Sequence, residues 1–135
     1  MPNGRFLHYY WQIHALLNQN SRLLDDSHPD HALCDDYEVA YAAAFHASIV
    51  FVDGSRLIAR FSLRADDDVE EYDDAYQYLD PQGGQVFRYD DAPHHPEVDT
   101  HPHHLHRDRD DTAYPLDISH VDFATIFNKI PSRYL

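Results

Sequence analysis

Apolar residues first recur along the chain at helical spacing. Phe6, Tyr10, Ile13, Leu17 and Leu24 fall near a 3.6-residue period, and Leu7, Leu16 and Leu23 widen the stripe. The pattern predicts an amphipathic helix over residues 5–24. The polar stretch from Asp25 to Asp36, with Pro29 inside it, reads as a loop. From Tyr37 onward the period falls to two. Phe45, Ala47, Ile49 and Phe51 alternate with His46, Ser48, Val50 and Val52, as they do in a strand packed on a core. Asp53-Gly54 then signals a hairpin with a type I′ turn, which needs positive φ at both central residues. Ser55–Arg64 returns as a second strand with Leu57, Ala59, Phe61 and Leu63 on one face. Val69–Leu79 makes a third, with Tyr72, Tyr76 and Tyr78 together, and Gln85–Tyr89 a fourth. A polar connector over 107–116 leads to a last helix. Ser119 is its expected N-cap, Asp122 sits three residues on, and Ile118 and Phe123 form the staple. Phe123, Ile126, Phe127 and Ile130 make its apolar stripe, and Pro131 is placed to stop it. The expected fold is α+β: an N-terminal helix, an antiparallel β-meander of about four strands and a short C-terminal helix, in one domain spanning residues 1–135.

The histidines change that picture from a fold into a candidate site. Six of the chain's twelve lie between positions 94 and 106, directly after the fourth strand. Pro93, Pro96 and Pro102 punctuate the segment, each fixing φ and removing a backbone donor, so a stiff loop is expected. Imidazole exchanges protons near neutrality and is also the commonest metal ligand. For cleavage of RNA by its own 2′-hydroxyl, neutral and protonated histidines supply the base and the acid, and a guanidinium stabilises the charged phosphorus centre. The candidates are Arg88, Asp90, His94, His95, His104 and His106, with Asp90 orienting an imidazole. Tyr89 and His103 are candidate substrate contacts. The competing reading is a divalent metal such as Zn²⁺ held by Asp90 and the histidines, although the spacing matches no specific zinc signature.

A second basic feature lies on the second strand, where Arg56, Arg60 and Arg64 recur on one face. They either pair across strands with Glu70, Glu71, Asp73 and Asp74 or line a path for a phosphate backbone. The formal charge of −14 works against any polyanion at long range. It fits equally a salt-adapted surface or a basic protein partner. A length of 135 residues suits a single domain with a modest core, and no apolar run is long enough to span a membrane. The N-terminus lacks the apolar segment of a secretory signal, and Cys34 stands alone, so a reducing cytoplasm is expected.

Arg88-Tyr89-Asp90-x-Ala92-Pro93-His94-His95-Pro96, followed by Pro102-His103-His104-x-His106, resembles the signature of TumE-like toxins, the toxin halves of toxin–antitoxin pairs. The pattern departs at Asp91, where Asn is expected, at His101, where an aromatic is, and at Leu105, where Lys is. The resemblance implies a cognate antitoxin as partner, and the element order is RelE-like by analogy. Together with the His/Arg chemistry, it leads to the expectation of an endoribonuclease acting on mRNA, at the ribosome or free, with no cofactor. The alternatives are a non-catalytic acidic binding module and a metal-dependent, defence-associated nuclease.

Overall fold

The structure, a computed structural model, describes residues 4–25, 33–39, 42–65, 69–91, 96–108, 112–118 and 120–135. Helix α1 (Gly4–Gln19) is followed by a 3₁₀ turn (Ser21–Leu23). Strands β1 (Leu33–Val39), β2 (Ala42–Val50), β3 (Arg56–Ala65), β4 (Val69–Leu79), β5 (Gln85–Asp90) and β6 (His104–Arg107) come next, and helix α2 (Phe123–Arg133) closes the chain. The strands pair antiparallel in sequence order into one six-stranded sheet. The architecture is thus the expected α+β arrangement of helix, meander and helix. The meander has two more strands than expected, one at each edge. β1 was hidden in a stretch whose Asp and Pro content reads as loop, and β6 in a segment full of proline and histidine.

One face of the sheet is a core. Ala43, Phe45, Ala47, Ile49, Leu57, Ala59, Phe61, Leu63, Tyr76, Tyr78, Phe87, Tyr89 and Leu105 are all buried. They pack against Phe6, Ile13 and Leu17 of α1 and Phe123, Ile126, Phe127 and Ile130 of α2. Aromatic rings carry much of this packing: Phe61 stacks on Tyr76 at 6.1 Å, and Phe127 lies 6.0 Å from Phe123 and 5.9 Å from Phe51. Phe127 is fully buried, so Phe127→Ala should cost about 3–5 kcal/mol of unfolding free energy through forfeited transfer energy and a residual cavity. Urea denaturation measures this, and a loss below about 1 kcal/mol would mean that α2 is not seated on the sheet in this way.

Four local expectations are corrected. The helix predicted over 5–24 ends at Gln19, and Leu24 then bridges to Phe51. The Asp53-Gly54 turn is a three-residue connection: Gly54 N–H bonds to Phe51 O, Phe51 N–H to Ser55 O, and only Gly54 has positive φ (89°). That is a turn closed by one left-handed glycine, repeated at Asp80–Gly84 around Gly83 (φ 86°). At α2, Asp122 is itself the N-cap, accepting from Thr125 N–H at 2.8 Å. The expected cap, Ser119, lies outside the described residues. The helix also continues through Pro131 to Arg133.

β4 contains the irregularity that matters most for the site. Its register against β3 shifts between Arg60↔Ala75 and Ser62↔Tyr72, so Asp73 and Asp74 together face Phe61, and Asp73 takes positive φ (49°). This bulge breaks the expected tyrosine face. Tyr76 and Tyr78 are buried under the helices, whereas Tyr72 lies on the opposite face beneath the Arg64 guanidinium, 4.6 Å from it.

Candidate active site on the open sheet face

Among the described residues no helix covers the second face of the sheet, and the register states what stands on it. One cross-strand row reads His46, Arg60, Ala75, Asp90, His104. The next reads Ser48, Ile58, Gln77, Arg88, His106. Strand alternation therefore places the arginines of β3, the Arg88 and Asp90 pair of β5 and the two histidines of β6 on one surface. Arg56 and Arg64 flank Arg60 on that face. Glu71, one of the acidic residues considered as their cross-strand partner, points the other way. It accepts hydrogen bonds from Tyr9, from Tyr76 and from Phe123 N–H (3.0 Å) among the helices.

Asp90 is the hub. It is 6% exposed, and its two oxygens take Arg88 Nε at 3.0 Å and His104 Nε2 at 2.8 Å. His104, 2% exposed, turns its other nitrogen to Pro102 O at 3.0 Å. Both ring nitrogens thus meet oxygens, which fixes the plane of the ring. Thr100 Oγ1 donates to His103 O at 2.7 Å and accepts from Leu116 N–H at 3.1 Å, which folds the loop over this pair. His106 stands edge-on to His104 at 4.9 Å between ring centroids. Its Nδ1 bonds to Thr112 O at 3.1 Å, so the neutral ring carries its lone pair on Nε2. Arg88 remains half exposed on its side chain, at 46%.

The sequence candidates divide accordingly. Arg88, Asp90, His104 and His106 come together, with Arg56, Arg60 and Arg64 on the same face. His94 and His95 lie outside the described residues. Tyr89 sits on the helix-covered face, fully buried; its hydroxyl donates to Asp117 Oδ1 and receives Lys129 Nζ. It does not reach the open face. Burial alone would raise the Asp117 carboxyl, but the Tyr89 hydroxyl and the Lys129 ammonium outweigh it and hold that carboxyl below its ordinary range. His103 parts from His104 because neighbouring residues alternate in direction, and it stands instead with Asp74 and Asp91.

Two groups of side chains have ligand atoms close enough to hold a metal, within 4.8 Å of one another: Asp90, His104 and His106, and Asp74, Asp91 and His103. The first is closed by its own Asp90–His104 hydrogen bond and has the Arg88 cation beside it, which disfavours a second cation. Asp74 entered the sequence reading only as a partner for the arginine row, and its place in this second cluster was missed. The available signal was an acid set inside a run of alternating tyrosines.

No curated protein and no solved structure matches the chain significantly, so the RelE-like analogy rests on element order alone. A family model described as Toxin TumE matches residues 17–133. That match runs through every strand and α2, and the chain belongs to the TumE family of toxins, the toxin side of toxin–antitoxin pairs.

Proposed function

We propose that the chain, acting as one domain in the cytoplasm, is an endoribonuclease that cuts mRNA by 2′-hydroxyl attack on the adjacent phosphate, at the ribosome or free. Family membership implies a cognate antitoxin, which would hold this activity in check. The observation that carries the reading is the direct register pairing of Arg88 with His106 on the open face, beside Asp90 and His104. In this scheme His106 Nε2 removes the 2′-proton, and the oxygen attacks phosphorus as the 5′-oxygen leaves. A histidine of the His94-His95 pair returns a proton to that oxygen. Arg88 has donors beyond the one given to Asp90, and they neutralise the phosphoryl oxygens as charge builds there. Asp90 and His104 position Arg88 and His106 and do not themselves exchange protons with substrate. Arg56, Arg60 and Arg64 guide the strand, supplying local positive charge in a chain of net charge −14.

The test is cleavage of a defined RNA by purified protein in EDTA, at a temperature where the metal-free protein stays folded. Cleavage in EDTA that is lost in His106→Ala and Arg88→Ala supports the reading. Cleavage that requires an added divalent ion, or that survives both substitutions, overturns it. The arginine row makes a separate prediction. Replacing all three arginines with alanine should weaken RNA binding at every sequence. It should also flatten the salt dependence by about 0.7 in log K per log salt for each phosphate left without its arginine. Fluorescence anisotropy across a salt series reads this, and an unchanged slope would remove the row from the RNA path.

A further inference from the structure

We propose that Asp74, Asp91 and His103 form a binding site for one divalent transition-metal ion of the zinc type, which ties the β4 bulge to both ends of the histidine-bearing connection between β5 and β6. The site uses neither Arg88, Asp90 nor His106 and stands whether or not the chain cuts RNA.

Register supplies the geometry. Asp90 faces Ala75 across one ladder and His104 across the other. One step further along, Asp91 follows Asp90, Asp74 precedes Ala75 and His103 precedes His104. Alternation turns this next row away from the open face. Asp74 keeps the side of the buried Tyr76 and Tyr78, at the edge of the bulge. The three side chains bring ligand-capable atoms within 4.8 Å of each other.

Two of these side chains also carry a buried polar atom that lacks a partner among the described residues. Asp74 is only 3% exposed, yet its Oδ1 has no hydrogen-bond partner among the described residues, and the buried Nδ1 of His103 has none among them either. Buried polar atoms are paired in nearly all native structures, and a buried carboxylate without a partner is costly. The surroundings make this worse for a bare carboxylate, because a second one, Asp91, stands in the same cluster with ligand-capable oxygens within 4.8 Å. A dication cancels the repulsion between Asp74 and Asp91 and offers a partner to side chains that lack one. Two carboxylate oxygens and one imidazole nitrogen suit a borderline ion, and three protein ligands leave a fourth position for water. The expected role is structural. The ion would fasten the connection that carries His94 and His95, on the opposite side of the sheet from the scissile phosphate.

The probe is Zn²⁺ itself, titrated calorimetrically into chelator-stripped protein, with thermal melting as a second readout. The expected result is one tight site that raises the melting temperature. Asp74→Asn and Asp91→Asn should each weaken it at least tenfold and remove the zinc-dependent rise, while both remain folded without metal. His101→Gln, at an exposed histidine outside the cluster, should leave it intact, which separates the site from general binding to a histidine-rich chain. His103→Gln tests the third ligand. A tight site that persists in both aspartate variants overturns the proposal. So does one lost instead in His106→Ala, which would assign it to Asp90, His104 and His106. The absence of any zinc-dependent rise in the wild-type melting temperature would also overturn it.

Discussion

His106→Ala is expected to reduce RNA cleavage by about 10²–10⁴-fold, the usual contribution of a positioned acid or base. The fold should remain largely unperturbed. His106 sits on the edge strand β6, half-buried, with the core side of that strand held by its neighbour Leu105. Arg88→Ala should cost roughly 10²–10³-fold, as loss of one stabilising donor does. Groups that act as a unit are not additive, so the double variant should be little worse than His106→Ala alone. Single-turnover cleavage at saturating enzyme separates this from weakened binding. A loss confined to affinity would demote His106 to a substrate contact. His104→Ala provides the contrast, because it strips a partner from the buried Asp90 carboxylate and its first effect should be on melting temperature.

The difference between these two histidines was not legible in the sequence. Both belong to one dense run, and composition treats them alike. What separates them is burial and the partners each ring meets: Pro102 O and Asp90 hold His104 at 2% exposure, whereas His106 is half-buried, with its Nδ1 against Thr112 O. The inward faces of β2 and β3 were readable because alternation is local, and so were the stripes of both helices. The edge strands were not. In β1, Asp35 and Asp36 read as loop although Tyr37 and Val39 do not, and the pairing of the whole segment with β2 is a tertiary effect. The bulge in β4 was invisible for the same reason, since a one-residue slip is fixed by neighbouring ladders. That slip moved Tyr72 to the open face and left Asp74 on the buried side, in an acidic row with Asp91. Even-numbered spacing had placed Tyr72 with Tyr76 and Tyr78. The common face shared by Arg60, Asp90 and His104 also needed the whole sheet, because those three residues lie on three different strands.

Metal-free wild-type protein is expected to lose stability as pH rises from about 4.5 to about 7, and Glu71→Gln should remove much of that slope. Glu71 joins the two helices to the sheet: both its oxygens accept, from Tyr76 and Tyr9, and one also takes Phe123 N–H at the start of α2. Burial outweighs these three donors and pushes its carboxyl from the ordinary 4.5 up to about 7, with Asp122 adding to the rise. A carboxyl raised on folding keeps its proton in the native state after the unfolded chain has lost it. Its contribution is therefore whole below about 4.5 and declines as pH climbs through the folded value. One such group costs at most about 1.4 kcal/mol per pH unit, or roughly 3 kcal/mol over this window. Asp74, raised first by burial, adds to the decline in both proteins, and Glu71→Gln trims that share as well by removing one of the charges that raise it. Asp117 acts in the opposite sense, its depressed carboxyl mattering only at lower pH. Glutamine keeps an acceptor for Phe123 N–H and a donor for a tyrosine oxygen, so the two unfolding curves should nearly coincide at about pH 5. They should separate by about pH 7, with wild type the less stable. Urea titrations of both proteins in EDTA at the two pH values decide it, and parallel losses would show that Glu71 ionises in the folded state at no cost.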